Sequence, residues 1–128
     1  MKKYFLFLLV IIICFGCAAS LMHDITITKT DNGKSLYFKK GSQFSVVLDG
    51  NPTTGFSWYV TSLDTTIAAQ TGAYDYQANT NLLGSPGKFT FKFHVKEAGS
   101  TILKFHYFRS FEKNVAPVDS FYINIIVK

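Results

Sequence analysis

From Lys88 to Lys96 the chain alternates without a break. Phe89, Phe91, Phe93 and Val95 fall on one side, and Thr90, Lys92, His94 and Lys96 on the other. A period of two places successive side chains on opposite faces of an extended strand, so this segment is a half-buried β-strand. Phe121, Ile123, Ile125 and Val127 repeat the alternation near the C-terminus, and shorter β-like runs occupy Ile25 to Lys29, Gln43 to Asp49, Phe56 to Thr61 and Thr101 to Phe108. Turn signals separate them: Asp31-Asn32-Gly33, Lys40-Gly41-Ser42, Asp49-Gly50-Asn51-Pro52, Gly84-Ser85-Pro86-Gly87 and Ala98-Gly99-Ser100. No stretch beyond residue 23 sustains a helical period over about three turns.

About seven short strands with regular turns indicate an all-β fold, an immunoglobulin-like antiparallel β-sandwich. Residues 23–128 make one domain. Aromatics at 16% and hydrophobics at 48% supply its core, and Trp58 is a candidate core tryptophan.

The N-terminus reads differently. Lys2-Lys3 precedes an unbroken apolar run from Tyr4 to Phe15, and Gly16-Cys17-Ala18-Ala19-Ser20 offers small residues to a signal peptidase. The expectation is a signal peptide over residues 1–20, cleaved at about residues 16–22, and a chain exported to the medium or to a lysosome-like lumen. Two alternatives stay open. The uncharged span from Tyr4 to Met22 is 19 residues long, enough for a retained anchor, and Cys17 follows a small residue as a lipidated cysteine does. Cys14 and Cys17 are the only cysteines, and their C-x-x-C spacing has no βαβ context here, so it carries no redox reading. After cleavage no membrane segment would remain.

Charge and motifs exclude several classes. The formal net charge is +5, but without Lys2 and Lys3 the 13 basic residues become 11 against 8 acidic ones. Arg109 is the sole arginine, and the lysines are scattered, so nucleic acid is not expected as a partner. There is no H-E-x-x-H, G-x-S-x-G or phosphate-cradling loop. The carboxylates stand singly, and nothing near His94 or His106 in sequence pairs with them as a catalytic partner, so neither catalysis, a metal nor a cofactor is expected.

Asn51-Pro52-Thr53-Thr54-Gly55-Phe56 is the informative segment. Pro52 fixes its own φ and restricts Asn51, Thr53 and Thr54 make a stiff uncharged tip, and Gly55 permits a φ other residues avoid. An ordinary sandwich turn has the same composition. The segment nevertheless closely resembles the NPTTG[FY] loop of the chagasin-type inhibitors of papain-like cysteine peptidases. The likeness extends to Leu82-Leu83-Gly84, to Lys96-Glu97-Ala98-Gly99-Ser100 and to the strand ending at Arg109.

The resemblance implies an immunoglobulin-like sandwich with three loops at one end, named BC, DE and FG. Here they are Asn51 to Phe56, then Leu83-Gly84-Ser85-Pro86-Gly87, then Arg109-Ser110-Phe111. Pro86 departs from the family's Gly-x-Gly-Gly, and Ser110 from its Arg-Pro-aromatic. The implied function is reversible, tight-binding inhibition of papain-like cysteine proteases by a monomer, one to one, with the three loops in the cleft and no cofactor. The alternative is an exported binding or adhesion module whose loops meet another partner.

Overall fold

The computed structural model describes residues 24–128. The expected signal peptide over residues 1–20, with Cys14 and Cys17, lies outside the described residues. Within them run nine strands: β1 (Ile25–Thr28), β2 (Ser35–Phe38), β3 (Gln43–Gly50), β4 (Ser57–Ser62), β5 (Ala68–Gln70), β6 (Asp75–Ala78), β7 (Gly87–Val95), β8 (Gly99–Phe108) and β9 (Asp119–Val127). One-turn 3-10 helices at Lys29–Asp31 and Pro52–Thr54 complete the regular structure described.

Two sheets pack face to face. One has the order β1-β3-β7, with β5 and β6 both pairing the far side of β7; the other is β2-β9-β8-β4. The all-β sandwich is as the sequence implies, but the sheets are mixed and not antiparallel throughout. β1 lies parallel to β3 and β2 parallel to β9, while the remaining pairs are antiparallel. The chain reverses between β1 and β2 through Lys29–Asp31 and changes sheet as it does so. The two strands therefore do not pair with each other, and each lies along a strand running its own way. Asp31 secures this reversal by accepting the Thr28 N–H at 3.0 Å. That bond holds its carboxyl below the usual carboxylate range, so its support is present above that range and lost as pH falls through the lowered value.

The alternating residues form the core as the pattern requires. Phe89, Phe91, Phe93 and Val95 of β7 face Phe105 of β8 and Phe121, Ile123 and Ile125 of β9, none more than 2% exposed. Phe91 and Phe93 meet Phe105 edge-on at centroid distances of 4.9 and 6.1 Å, the geometry the ring quadrupole favours. Trp58 is 3% exposed, and its indole N–H donates to the Asp49 carbonyl at 3.0 Å, so its one polar atom is satisfied inside. His94 and His106 sit half-buried on β7 and β8. No group of three or more potential metal ligands occurs among the described residues.

The register places the loops. Gly50 ends β3 opposite Gly87, which begins β7, and Ser57 begins β4 opposite Phe108, which ends β8. The β3–β4, β6–β7 and β8–β9 connections, which hold the BC, DE and FG segments, therefore emerge at one pole.

Candidate functional site

Asn51 organises the centre of that pole. Its extended backbone (φ −139°, ψ 96°) is what a residue before proline adopts, and Pro52 then opens the 3-10 turn. The Asn51 side-chain oxygen caps the turn, accepting the Thr53 N–H at 3.2 Å and the Thr53 hydroxyl at 2.6 Å. The Asn51 carbonyl accepts the Thr54 hydroxyl at 2.6 Å. Gly55 closes the turn at φ 84°, the left-handed conformation that glycine enters at no steric cost. Both threonine side chains bond back into the loop, and both residues stay exposed. The tip is a short, internally bonded arch.

Both flanking loops tie into this arch. The Asn51 amide donates to the Gly84 carbonyl of the β6–β7 loop at 2.9 Å. From the other side, the Arg109 Nε–H donates to the Thr54 carbonyl at 2.9 Å. The guanidinium lies 4.3 Å over the Phe56 ring, and its Nη1 reaches the Glu112 carboxylate at 3.1 Å. Arg109 thus uses its planar face and its fork within the molecule, as a lysine could not. Phe111 packs against Gly55, where a Cβ would come within 3.0 Å of its ring, yet it remains 70% exposed.

Tyr107 lies underneath. Its hydroxyl accepts the Asn51 N–H at 2.8 Å, and its ring stacks on Phe56 and Trp58 at centroid distances of 5.4 and 4.9 Å. Neither Tyr107 nor the internal work of Arg109 is apparent from the loop motifs alone. The signal for Tyr107 is parity: Leu103, Phe105 and Tyr107 fall on the inward side of β8. The resemblance puts Arg109 in the protease-binding FG loop, and the structure adds an internal role, a brace on the Thr54 carbonyl and the Phe56 ring.

The β6–β7 loop is built from turns and from two glycines with different duties. Asn79 donates to the Pro86 carbonyl at 2.9 Å, and Tyr76 to the Ser85 carbonyl at 3.2 Å. Gly84 has φ 77° with open space around it, so its need is conformational. Leu82 and Leu83 stand exposed at the tip. Gly87 is not in the loop: it is the first residue of β7, buried and paired to Gly50 on one side and Ala78 on the other. A Cβ there would run into the Gln77 carbonyl oxygen, the Ala78 Cα and the Tyr76 hydroxyl. Gly87→Ala should therefore lose about 1–3 kcal/mol in urea unfolding, the usual cost of overpacking. An unchanged midpoint would show that β6 shifts aside freely.

Comparison with known proteins places this arrangement. The model of the chagasin family of peptidase inhibitors matches residues 37–125, a span that includes all three loops. Chagasin from Trypanosoma cruzi is 32% identical over 88 residues, which is 65% of this chain and 79% of chagasin. Amoebiasin-1 from Entamoeba histolytica is 30% identical over 76 residues, 59% of this chain and 70% of its own. A crystal structure of a cysteine protease inhibitor from Entamoeba histolytica shares the fold with a TM-score of 0.72 at 20% identity, covering 81% of this chain and 95% of that one. With the family model spanning more than two thirds of its length, the chain belongs to the chagasin family of peptidase inhibitors.

Proposed function

We propose that this protein is a reversible, tight-binding inhibitor of papain-like cysteine proteases that occludes their active-site cleft with the three loops of one pole. The observation that carries this reading is the bracing of the Asn51–Phe56 arch from both sides, by Asn51 on Gly84 and by Arg109 on Thr54. A loop already held in one shape loses little entropy on docking, which is where tight binders gain over flexible ones. Thr53 and Thr54 cross the catalytic centre, while exposed Leu82 and Leu83 on one flank and Phe111 on the other contact the walls of the cleft. A contact of the usual size, about 1,600 Å², supports roughly nanomolar affinity, about −12 kcal/mol, when the loops are preorganised. A fold relative, PbICP-C, has been solved in complex with falcipain-2, with a TM-score of 0.56 at 17% identity over 82% of this chain and 89% of that one.

The proposal includes export by the N-terminal segment and a one-to-one complex with a monomeric inhibitor. Titration of papain with the full chain tests it, with a trypsin-like serine protease as control. Stoichiometric loss of papain activity and no effect on the control are expected. No inhibition of several papain-like enzymes would hand the loop pole to a different partner.

Arg109 gives a finer test. Arg109→Ala should weaken inhibition by about 1–2 kcal/mol, roughly tenfold, because the arch loses its outer tie. Arg109→Lys should not restore it, since an ammonium supplies neither the flat stack on Phe56 nor the directed Nε–H. Full potency in the lysine variant would mean that the positive charge alone matters to the protease.

A further inference from the structure

Exposed apolar surface on this molecule is gathered at one end. Among the described residues, six large apolar side chains are more than half exposed: Tyr37, Leu82, Leu83, Phe111, Val115 and Val118. Five of the six lie on the β6–β7 and β8–β9 connections of the loop pole, and Tyr37 alone lies elsewhere, on β2. Singly scattered apolar side chains are ordinary on a protein surface, whereas a group of them at one end marks a contact. Leu82, Leu83 and Phe111 have a place in the inhibitory reading above. Val115 and Val118 do not.

Both stand on the second half of the β8–β9 connection, which runs from Arg109 to Val118. Hairpins are usually joined by about two to five residues, so this connection is longer than the reversal of the chain needs. Its first half serves the arch: the Glu112 N–H closes a turn on the Arg109 carbonyl at 3.1 Å, and the two side chains pair. Asn114 then redirects the chain at φ 59°, a left-handed conformation that asparagine enters more readily than most side chains. Val115-Ala116-Pro117-Val118 follows as an uncharged run, exposed throughout. Pro117 fixes its own φ, and the Val118 N–H donates to the Tyr107 carbonyl at 3.0 Å. Tyr107 also holds the Asn51 N–H, so the run is moored to the residue that supports the arch.

We infer that Val115 and Val118 form a further contact with the protease, against apolar surface on the rim of its cleft, beyond the wall that Phe111 meets. The inference rests on the inhibitory reading. Continuity decides the occupant, because the run and Phe111 belong to one connection and leave the molecule at the same pole. A second copy of this chain seated on the run would cover Phe111 and the arch as well, and no inhibitory surface would stay free. The run has no charge with which to hold a polar ligand. What it offers is burial of two branched apolar side chains, whose few rotamers cost little entropy to fix.

Titration of papain with the full chain, with Arg109→Ala and with a double variant, Val115→Ser with Val118→Ser, tests it. The serine variant should melt as the parent does, because both side chains are exposed and the Val118 N–H belongs to the backbone. Its inhibition constant should rise about tenfold, mostly through faster dissociation. Val115→Ile with Val118→Ile keeps the apolar contact and should inhibit within about threefold of the parent. A serine variant as potent as the parent, beside a weakened Arg109→Ala, would overturn the inference and leave the inhibitory reading standing. A parent chain without effect on papain would overturn both. A dimer in sedimentation velocity without protease, dissociated by the serine changes, would assign the run to a second copy and overturn the inference too.

Discussion

Thr54→Trp should fold, losing no more than about 1 kcal/mol for the exposed Thr54 hydroxyl bond to the Asn51 carbonyl, and lose inhibition of papain-like proteases by about thirtyfold to a thousandfold, the 2–4 kcal/mol of a lost hot spot. Thr54 is exposed at the summit of the arch, so a larger side chain there meets solvent and not the core. Its carbonyl, which Arg109 holds, and its N–H belong to the backbone and survive the substitution. The indole would occupy the space where the protease's catalytic centre must approach. Inhibition constants and a urea melt measured side by side check the expectation. Full potency in a correctly folded variant would move binding to some other surface.

Trp58→Ala should cost about 3–5 kcal/mol, the range for truncating a large buried aromatic. Against a total of about 5–15 kcal/mol for an ordinary domain, that leaves the chain close to unfolding. Three losses combine. A cavity opens between the sheets, the Asp49 carbonyl loses its indole donor, and Tyr107 loses one of the two rings on which it stacks. The last reaches the site, because Tyr107 holds the Asn51 N–H at the root of the arch. Urea unfolding measures the stability. Assay of the fraction that stays folded should show weakened inhibition too, and a variant as stable as the parent would contradict the core role.

Much of this was legible before any coordinates. The alternation in β7 and β9 announces two half-buried strands, and those residues are the centre of the core. Strand direction was not legible, because alternation is the same read either way; the parallel edges β1–β3 and β2–β9 follow from a change of sheet that leaves no periodic trace. β2, β5 and β6 are only four, three and four residues long and, unlike the equally short Ile25–Thr28, carry no clean apolar–polar alternation. At the site, Asn-Pro and the glycine at φ 84° are local chemistry and could be read from the segment itself. The Arg109–Thr54 and Asn51–Gly84 bonds join residues 55 and 33 positions apart, and only the fold brings them together. Gly87 shows the same limit: its composition suggested a loop, whereas its backbone is strand and its missing Cβ is what lets β6 close on β7.

Alkylation of papain's catalytic cysteine tests the central claim most directly. In a stoichiometric complex with this protein, reaction with a small reagent such as iodoacetamide should slow to the rate at which the complex dissociates, because in the proposed complex the Asn51–Phe56 arch covers the thiolate. Alkylation at the rate of free papain, with peptide hydrolysis still blocked, would mean that the protein binds elsewhere and leaves the cleft open.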